Sequence, residues 1–436
     1  MQPPQMNVVS RSGPPAPASS WTRTWLHPDT GIVERLAFEG ADGTPGTLPI
    51  CASAWLRGSV PQEMGLGKGI NPTGALVSAV GEAMEIFASS QFNSFELVHK
   101  SWRSLGSDSL DPQSLSLYEE SAYDEPGFPY SRFDPQRPIH WVQGQWLGTD
   151  SPVLVPALPT FRYFPATPEE RFCQVTSNGL ACGFDFRDAA LRATLELIER
   201  DALMITWLAR LPQRELLFDE GLAPPFQEIV ENVRQFGADV RLFVLKAGIN
   251  VPVVLAVAFG DGRNWPGAVV GSGADLTLRG AAEKAILEIG QMGHYLRSVL
   301  RHNPDSIPAR PESVRSMPDH SLYYLPKRRN SAFDFLSAEN RSPVSLDFQL
   351  PAPDGATLEP GDPLDAVIHA LEEAHLRVAL VNLTTAALHK TPFTVVRALG
   401  ENLQQNHFGH HLARTRNPRL RQFLVSSPNP DVTPLS

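Results

Sequence analysis

Cysteine is scarce in this chain. Cys51, Cys173 and Cys182 are the three present among 436 residues. An odd, scattered set excludes a disulfide framework, and without a C-x-x-C pair it falls short of a four-cysteine zinc site. Positive charge is also in deficit: Lys plus Arg number 37 against 47 Asp plus Glu, a formal net charge of −10. That balance argues against a nucleic acid as the main partner, while leaving room for local basic pockets that take phosphate. Long apolar runs are missing too. The stretch 251–259 is among the longest and is far too short to span a bilayer. The opening MQPPQMNVVSRSGPPAPASS has no apolar segment of the signal-peptide kind. A reduced, cytoplasmic protein that does not cross a membrane is therefore expected. Nor is there a Ser-His-Asp or Cys-His pattern of the kind that nucleophilic catalysis leaves in a sequence.

Proline, by contrast, is abundant, with 40 residues. It gathers near 3–17, 125–170, 304–326, 351–363 and 428–434, which read as tails, loops and extended connectors. Residues 1–20 are expected to be a disordered tail, 21–425 the catalytic domain, and 426–436 a proline-containing C-terminal tail. With 42% hydrophobic residues the chain can build one large core or two ordinary ones. Strands are expected around 139–145, 152–157, 240–245, 251–259 and 377–383. Helices are expected over roughly 186–210, 222–236, 278–300 and 363–375. Alternation of the two indicates an α/β or α+β fold. Residues 301–362 look irregular.

Three helical segments share a layout. The first, entered at Pro72-Thr73, carries Ser78, Glu82 and Glu85 on one stripe, with Val80, Ala83, Met84 and Phe87 opposite. The second carries Glu196, Glu199 and Arg200, with Leu191, Thr194, Ile198 and Ile205 opposite. The third places Lys284, Glu288 and Gln291 together. A charged stripe is ordinarily the solvated face of an amphipathic helix. These stripes are narrow, however, and the second helix is apolar almost all round. Carboxylates on such a helix are costly to bury unless paired or metal-bound. Several glutamates converging with an arginine suit a magnesium–nucleotide site, in which carboxylates hold the ion and Arg200 and Lys68 neutralise phosphate. Each helix follows a glycine-bearing segment, GLGKG, SNGLACG or VVGSGAD, read as a loop or tight turn. None completes a Walker A or G-x-G-x-x-G pattern.

Together these segments resemble the YcaO family. GKGINPTGALVSAVGEAMEIF is similar to its G-K-G then S-x-x-x-E-x-x-E segment. TSNGLACGFDFRDAALRATLELIERDAL is similar to its S-N-G-x-A-x-G then E-x-x-E-R-D-A segment. GAVVGSGADLTLRGAAEKAILEIGQ is similar to the segment ending in E-x-x-Q, and LVNLTTAALHKTPFTVVRAL with NHFG to the C-terminal strand region. The chain departs from the pattern at Ile86, which follows Glu85, in LGENLQQNHFG, and at Met292, Gly293 and His294.

The resemblance implies ATP and Mg²⁺ held between glutamate-bearing helices, with nucleotide ligands Lys68, Ser78, Glu82, Glu85, Asn178, Glu196, Glu199, Arg200, Glu288 and Gln291. Of these, Glu82, Glu85, Glu196, Glu199 and Glu288 would hold metal. It implies an ATP-dependent cyclodehydratase that phosphorylates backbone amide oxygens of a ribosomal precursor peptide, turning Cys, Ser or Thr into azolines, with Glu199 and Arg200 catalytic. Thioamide or amidine formation is the alternative within the class, and a non-catalytic peptide-binding adaptor the alternative outside it. The proline-alternating end, with Pro434, resembles the tail that azoline-forming members send to the active site; a disordered proline-rich end is the other reading. Expected partners are a leader-binding protein of the E1-like, ocin-ThiF type and a flavin dehydrogenase, with a homodimer inside the complex. Cys173 and Cys182 read as small buried hydrophobes. His407, His410 and His411 read as surface or substrate-contact groups, since no third metal ligand is evident.

Overall fold

A computed structural model describes residues 25–26, 31–40, 43–44, 46–59, 62–337, 341–348, 362–389 and 391–435. The tail expected at 1–20 lies outside these residues, as do the proline-rich positions 351–361. In chain order, β1 (Val33–Gly40), β2 (Ile50–Leu56) and β3 (Met64–Gly69) lead into α1 (Pro72–Ser89). Then come β4 (Leu97–Ser101), β5 (Pro138–Trp146), β6 (Pro152–Pro156) and β7 (Leu180–Gly183), followed by α2 (Phe186–Leu208). β8 (Arg214–Leu217), α3 (Pro224–Arg234), β9 (Asp239–Leu245), β10 (Val253–Phe259) and β11 (Ala268–Ala274) run up to α4 (Leu278–His302). β12 (Val344–Ser345), α5 (Pro363–Glu373), β13 (Val378–Asn382) and β14 (Thr394–Gly400) complete the longer elements. The architecture is α+β, as expected from the sequence.

The strands form three sheets among the described residues: β1-β2-β3, β11-β10-β9-β8-β12, and β4-β5-β13-β14-β7 with β6 added to β5. Most pairings are antiparallel; β12 pairs parallel to β8. The helices start where local chemistry dictates. Asn71 Oδ1 accepts from the Gly74 N–H at 2.8 Å ahead of Pro72, Asp185 Oδ1 from Asp188 at 2.9 Å, and Thr277 Oγ1 from Gly280 at 3.0 Å. Each bond satisfies one of the amides that a helix start leaves without a partner.

The glycine-bearing segments before the helices are the main departure from the sequence reading. GLGKG is the body of β3, LACG is β7, and AVVGSGA is β11. Their glycines serve close approach rather than turning. A Cβ placed on Gly67 would lie 2.1 Å from the Ala75 carbonyl oxygen of α1, and one on Gly271 would lie 2.5 Å from the Ala285 carbonyl oxygen of α4. Each strand therefore lies directly against the helix it leads into, and small residues on both sides make that contact possible.

Three apolar clusters fill the space between these layers. One is built on α2, with Leu197, Met204 and Trp207 buried against Leu255 and Val396. Another packs Val80 and Met84 of α1 against Trp141 and Val155. The third packs Ala281, Ala285 and Ile289 of α4 against Val254 and Ala256. The C-terminal tail is part of the first cluster, with Val432 and Leu435 fully buried. Asp201, immediately after Arg200, is also structural. Fully buried, it accepts from Arg419 at 2.6 Å and from the Gln404 N–H at 2.8 Å, so it ties α2 to the C-terminal segment. No helix among the described residues is long and apolar enough to cross a membrane.

Candidate active site

β3, β7 and β11, the strands that precede the three glutamate helices, are each the last strand of their sheet. A terminal strand carries backbone N–H groups with no neighbouring strand to take them, and such groups must find other acceptors when buried. Here the acceptors are glutamates. In each unit the first acid of the helix accepts from its own preceding strand or the turn before it: Glu82 from Leu66 N–H at 2.8 Å, Glu196 from Gly179 N–H at 3.1 Å, and Glu288 from Ser272 N–H at 2.9 Å. In the first two units the second acid reaches the next unit's strand: Glu85 accepts from Cys182 N–H at 2.7 Å and Glu199 from Ala274 N–H at 3.0 Å. The third unit is joined back to the first by Lys68 of β3, whose Nζ donates to Glu288 Oε1 at 3.0 Å. Three sheet edges and three helices thus meet around one carboxylate cluster, and in α1 and α2 the spacing of three residues between the two acids is what allows one helix to serve two strands.

The cluster has two electrostatic parts. In the first, Arg200 lies 3.4 Å from Glu199 Oε1 and donates to Ser272 Oγ at 3.2 Å, while Ser272 Oγ–H donates to Glu199 at 2.7 Å. Lys68 and Arg200 hold the Glu288 carboxyl down at about 2 despite its burial, which acts the other way. In the second part, burial pushes Glu85 well above the usual carboxylate range, and the nearby charges of Glu82 and Glu196 push it further. Burial likewise raises Glu82, and it takes Glu196 up to about 7 even though Arg200 opposes the shift. The solvated-stripe reading of these helices fails: Glu82, Glu85, Glu196 and Glu288 are half-buried, and Glu199 is buried.

Carboxylates whose ionised forms are mutually destabilised, close to a second set already paired with cations, are the donor chemistry that a divalent ion and a polyphosphate need. The Arg200 Nε–H is buried without a hydrogen-bond partner, a donor available to an anion in the site. The residues present therefore fit Mg²⁺ and ATP.

A sequence model described as "YcaO cyclodehydratase, ATP-ad Mg2+-binding" matches residues 66–403. The chain belongs to the YcaO family. A curated relative, an uncharacterized protein from Methanothermobacter thermautotrophicus, is 29% identical over 229 residues, covering 52% of this chain and 56% of its own length. Among solved structures, a heterocyclase in complex with substrate and cofactor aligns with a TM-score of 0.77 at 18% identity, covering 95% of this chain and 56% of that one. YcaO from Methanopyrus kandleri, bound with AMPPCP and Mg²⁺, aligns at 0.58 with 22% identity and 86% coverage of both chains. The E. coli microcin synthetase McbBCD complex aligns at 0.63 with 14% identity, covering 92% of this chain and 96% of that one. These likenesses concern the fold. The chain spans 56% of the length of the first relative and of the first heterocyclase. ATP and Mg²⁺ are the cofactors of the YcaO family, and the donor set here suits them.

The remaining residues singled out from the sequence fall at varied distances from this YcaO site. Ser78 is exposed one turn before Glu82. Asn178 is buried, its Oδ1 accepting from Thr176 Oγ1 at 3.0 Å and from Asn406 N–H at 3.3 Å, beside Gly179 and its bond to Glu196. Gln291 lies one turn beyond Glu288 and lines a cleft of about 760 Å³ shared with Cys51 and Leu66. Pro434 is buried against Val270 of β11 and Met292 and Leu296 of α4, so the tail packs behind the strand and helix that carry Ser272 and Glu288. Its path is set by His320 Nδ1 at 2.8 Å from the Thr433 carbonyl and by bonds from Tyr324 to the Val432 carbonyl and from Ser321 to that of Leu435.

Cys173 is buried as expected. Cys182 is half-buried, and its thiol is raised by burial and by Glu85 beside it, which makes it a poor nucleophile. His407 corrects the surface reading of the histidine cluster. It is fully buried with its ring 5.8 Å from that of His320, and burial holds it well below the usual histidine range.

Three site residues were not singled out beforehand. Ser272 bridges Arg200 and Glu199. Arg162 lies close enough to Glu82, and Arg397 to Glu196, to favour the ionised carboxylates. Arg397 is buried, donates to the carbonyls of Pro159 at 2.6 Å and Thr176 at 2.7 Å, and keeps a buried Nε without a partner. With Arg162, Thr176 and Ser177 it lines a cavity of about 290 Å³. Ser272 and Arg397 lie inside segments that carry the family resemblance, but nothing in their spacing marks them, and Arg162 has no local pattern at all.

Proposed function

We propose that this chain is an ATP-dependent cyclodehydratase that activates backbone amides of a ribosomally made precursor peptide and closes Cys, Ser or Thr residues into azoline rings. The carrying observation is the divided carboxylate cluster: Glu82, Glu85 and Glu196, raised by burial and with cations only at longer range, beside Glu199 and Glu288, held closely by Arg200 and Lys68. In this reading the peptide's own side chain attacks the preceding carbonyl carbon. The resulting oxyanion takes the γ-phosphoryl of ATP, releasing ADP. Phosphate then leaves with its oxygen as the amide nitrogen loses its proton and the C=N bond forms. The attacking group comes from the substrate, so the protein needs no nucleophile, in keeping with an unreactive Cys182.

What the protein supplies is position and charge. Orientation alone can contribute about 7–11 kcal/mol to such a reaction. Lys68 and Arg162 both act on Glu82, and Arg200 and Arg397 both act on Glu196, so several cationic donors are available to a phosphate chain at the cluster. Mg²⁺, when bound, neutralises phosphate charge between them. Pro434 closes the wall behind Ser272 and Glu288, and in this reading it acts by holding β11 and α4 in register. The leader of the peptide would be recognised by a separate E1-like, ocin-ThiF-type partner, with a flavin dehydrogenase oxidising azolines afterwards and a homodimer inside the complex. The McbBCD complex with pro-MccB17 bound, similar in fold, supports a peptide substrate and partner proteins in general.

The test is incubation of the chain with ATP, Mg²⁺, its partner and a precursor peptide, followed by mass spectrometry. Loss of the mass of one water per modified site is expected. Exchange of oxygen for sulfur would indicate a thioamide product, and Mg²⁺-dependent ATP binding with no turnover would favour the adaptor.

A further inference from the structure

Among the described residues, one set of three potential metal ligands stands with its ligand atoms all within 4.8 Å of one another, and it lies outside the carboxylate cluster: His99, His140 and Glu170. His99 of β4 and His140 of β5 are directly opposite in the antiparallel register. Cross-strand partners of this kind bring their side chains together on one face of the sheet. Their rings stack with centroids 4.4 Å apart and planes 29° from parallel. Glu170 is buried at 4% exposure, whereas His99 is exposed and His140 half-buried.

The hydrogen bonds decide which nitrogen is available. Glu170 Oε1 accepts from the His140 N–H at 2.9 Å and lies 2.8 Å from His140 Nδ1; Oε2 accepts from Thr167 N–H at 3.2 Å. A ring that donates Nδ1–H to a carboxylate keeps its lone pair on Nε2, which is the arrangement in which a carboxylate fixes and strengthens a metal-binding imidazole. Two cross-strand imidazoles, one of them oriented in this way and the other exposed, offer a pair of nitrogens that a borderline divalent ion such as Zn²⁺ or Cu²⁺ would draw together by turning the exposed ring out of the stack. Mg²⁺ prefers oxygen ligands and would not compete there.

We propose that His99 and His140 bind a divalent transition-metal ion, with Glu170 as the positioning carboxylate and water completing the shell. The site has a mechanical consequence. β4 ends its sheet, and Glu170 closes the segment that begins near Phe161 and carries Arg162. The Phe164 ring of that segment packs 5.4 Å from His140. An ion on the two histidines pins this terminal strand to its neighbour, with Glu170 anchoring the segment from which Arg162 approaches Glu82.

The experiment is titration of the untagged full chain with Zn²⁺ by calorimetry in excess Mg²⁺, with Cu²⁺ electron paramagnetic resonance alongside. Saturable binding of one Zn²⁺ per chain is expected, with Cu²⁺ showing coupling to two imidazole nitrogens. His99→Ala, at an exposed position that leaves the fold intact, should weaken Zn²⁺ binding by at least ~100-fold, and Glu170→Gln by about 10–100-fold. Glu85→Gln should leave it unchanged. Zn²⁺ binding that survives His99→Ala, that is lost in Glu85→Gln, or that is not saturable overturns the proposal.

Discussion

Within one carboxylate cluster the protein gives some acids close cationic partners and leaves others with cations only at longer range. Glu199 and Glu288 are held by Arg200, Lys68, Ser272 and backbone amides, and Glu288 stays ionised to about pH 2. Glu82, Glu85 and Glu196 each keep a single backbone N–H bond, and their carboxyls are raised by burial. The difference shows how a fold builds a site for a ligand that carries both signs of charge. The closely paired half is held by hydrogen bonds within the protein, and in the proposed function its cations face phosphate. The unpaired half stores an electrostatic cost that a divalent ion relieves, so ion and nucleotide should bind more tightly together than apart.

The sharpest way to break this comparison is to remove the acid that joins the halves. Glu199 accepts from Ser272 and Ala274 and lies against Arg200, which also faces Glu196. Glu199→Ala should abolish ATP-dependent peptide modification, with a loss of at least about 100-fold of the kind that follows deletion of one organised electrostatic contact. Circular dichroism should still report a folded chain. Should the alanine leave the buried Arg200 too poorly compensated to fold, Glu199→Gln keeps the shape and should show the same loss. Full turnover in the glutamine variant would take Glu199 out of the site.

The unpaired half predicts a pH dependence that the paired half should not have. Glu196 titrates near 7, so it must lose a proton to accept a cation. Mg²⁺ affinity should fall by up to about tenfold per pH unit below that value, and Glu196→Gln should flatten the profile. The stability consequence has a definite sign. The folded-state value lies above the unfolded one, so the contribution of Glu196 is present in acid and lost as pH rises through about 7. Without Mg²⁺, the thermal midpoint should therefore decline from about pH 4.5 to about 7 and level off above that, and the increment gained on adding Mg²⁺ should grow over the same interval. A Mg²⁺ increment independent of pH would remove these carboxylates from the metal side.

On the paired half, Lys68→Met is expected to act more mildly. It removes one of the two cations that keep Glu288 ionised while retaining the apolar stem. A charge-assisted hydrogen bond of this kind contributes about 1.5–3 kcal/mol, so kcat/KM for ATP should fall roughly 10–100-fold. Lys68 also favours the ionised form of Glu82, so the midpoint of the Mg²⁺-affinity profile should move up in pH, not down.

Legibility in the sequence followed the range of the interaction. Glu82 with Glu85, Glu196 with Glu199, and Glu288 with Gln291 could be grouped because a helix turns three-residue spacing into one face, a rule that needs no tertiary information. The caps at Asn71, Asp185 and Thr277 are local for the same reason. The glycines of β3, β7 and β11 misled because the strand–helix contact that requires them lies across space, and in sequence they look like turn formers. Burial of His407, the role of Ser272, and the approach of Arg162 and Arg397 to the acids depend on which sheet edges meet. No periodicity encodes that.

The smallest expected effect calibrates the rest. Arg187, in the first turn of α2, makes ion pairs with Asp362 at 2.8 Å and Asp365 at 2.7 Å at the start of α5. By distance these match or improve on the contacts inside the cluster. Their side chains, however, are 52%, 40% and 64% exposed, where Glu199 and Arg200 are 11% and 13% exposed. Water already solvates such charges, so holding them together gains little. Arg187→Ala should cost less than about 1 kcal/mol in a denaturant titration and leave ATP turnover unchanged. If it proved as damaging as Lys68→Met, exposure would not be what separates the two kinds of ion pair, and burial would not explain why the carboxylate cluster differs from a surface one.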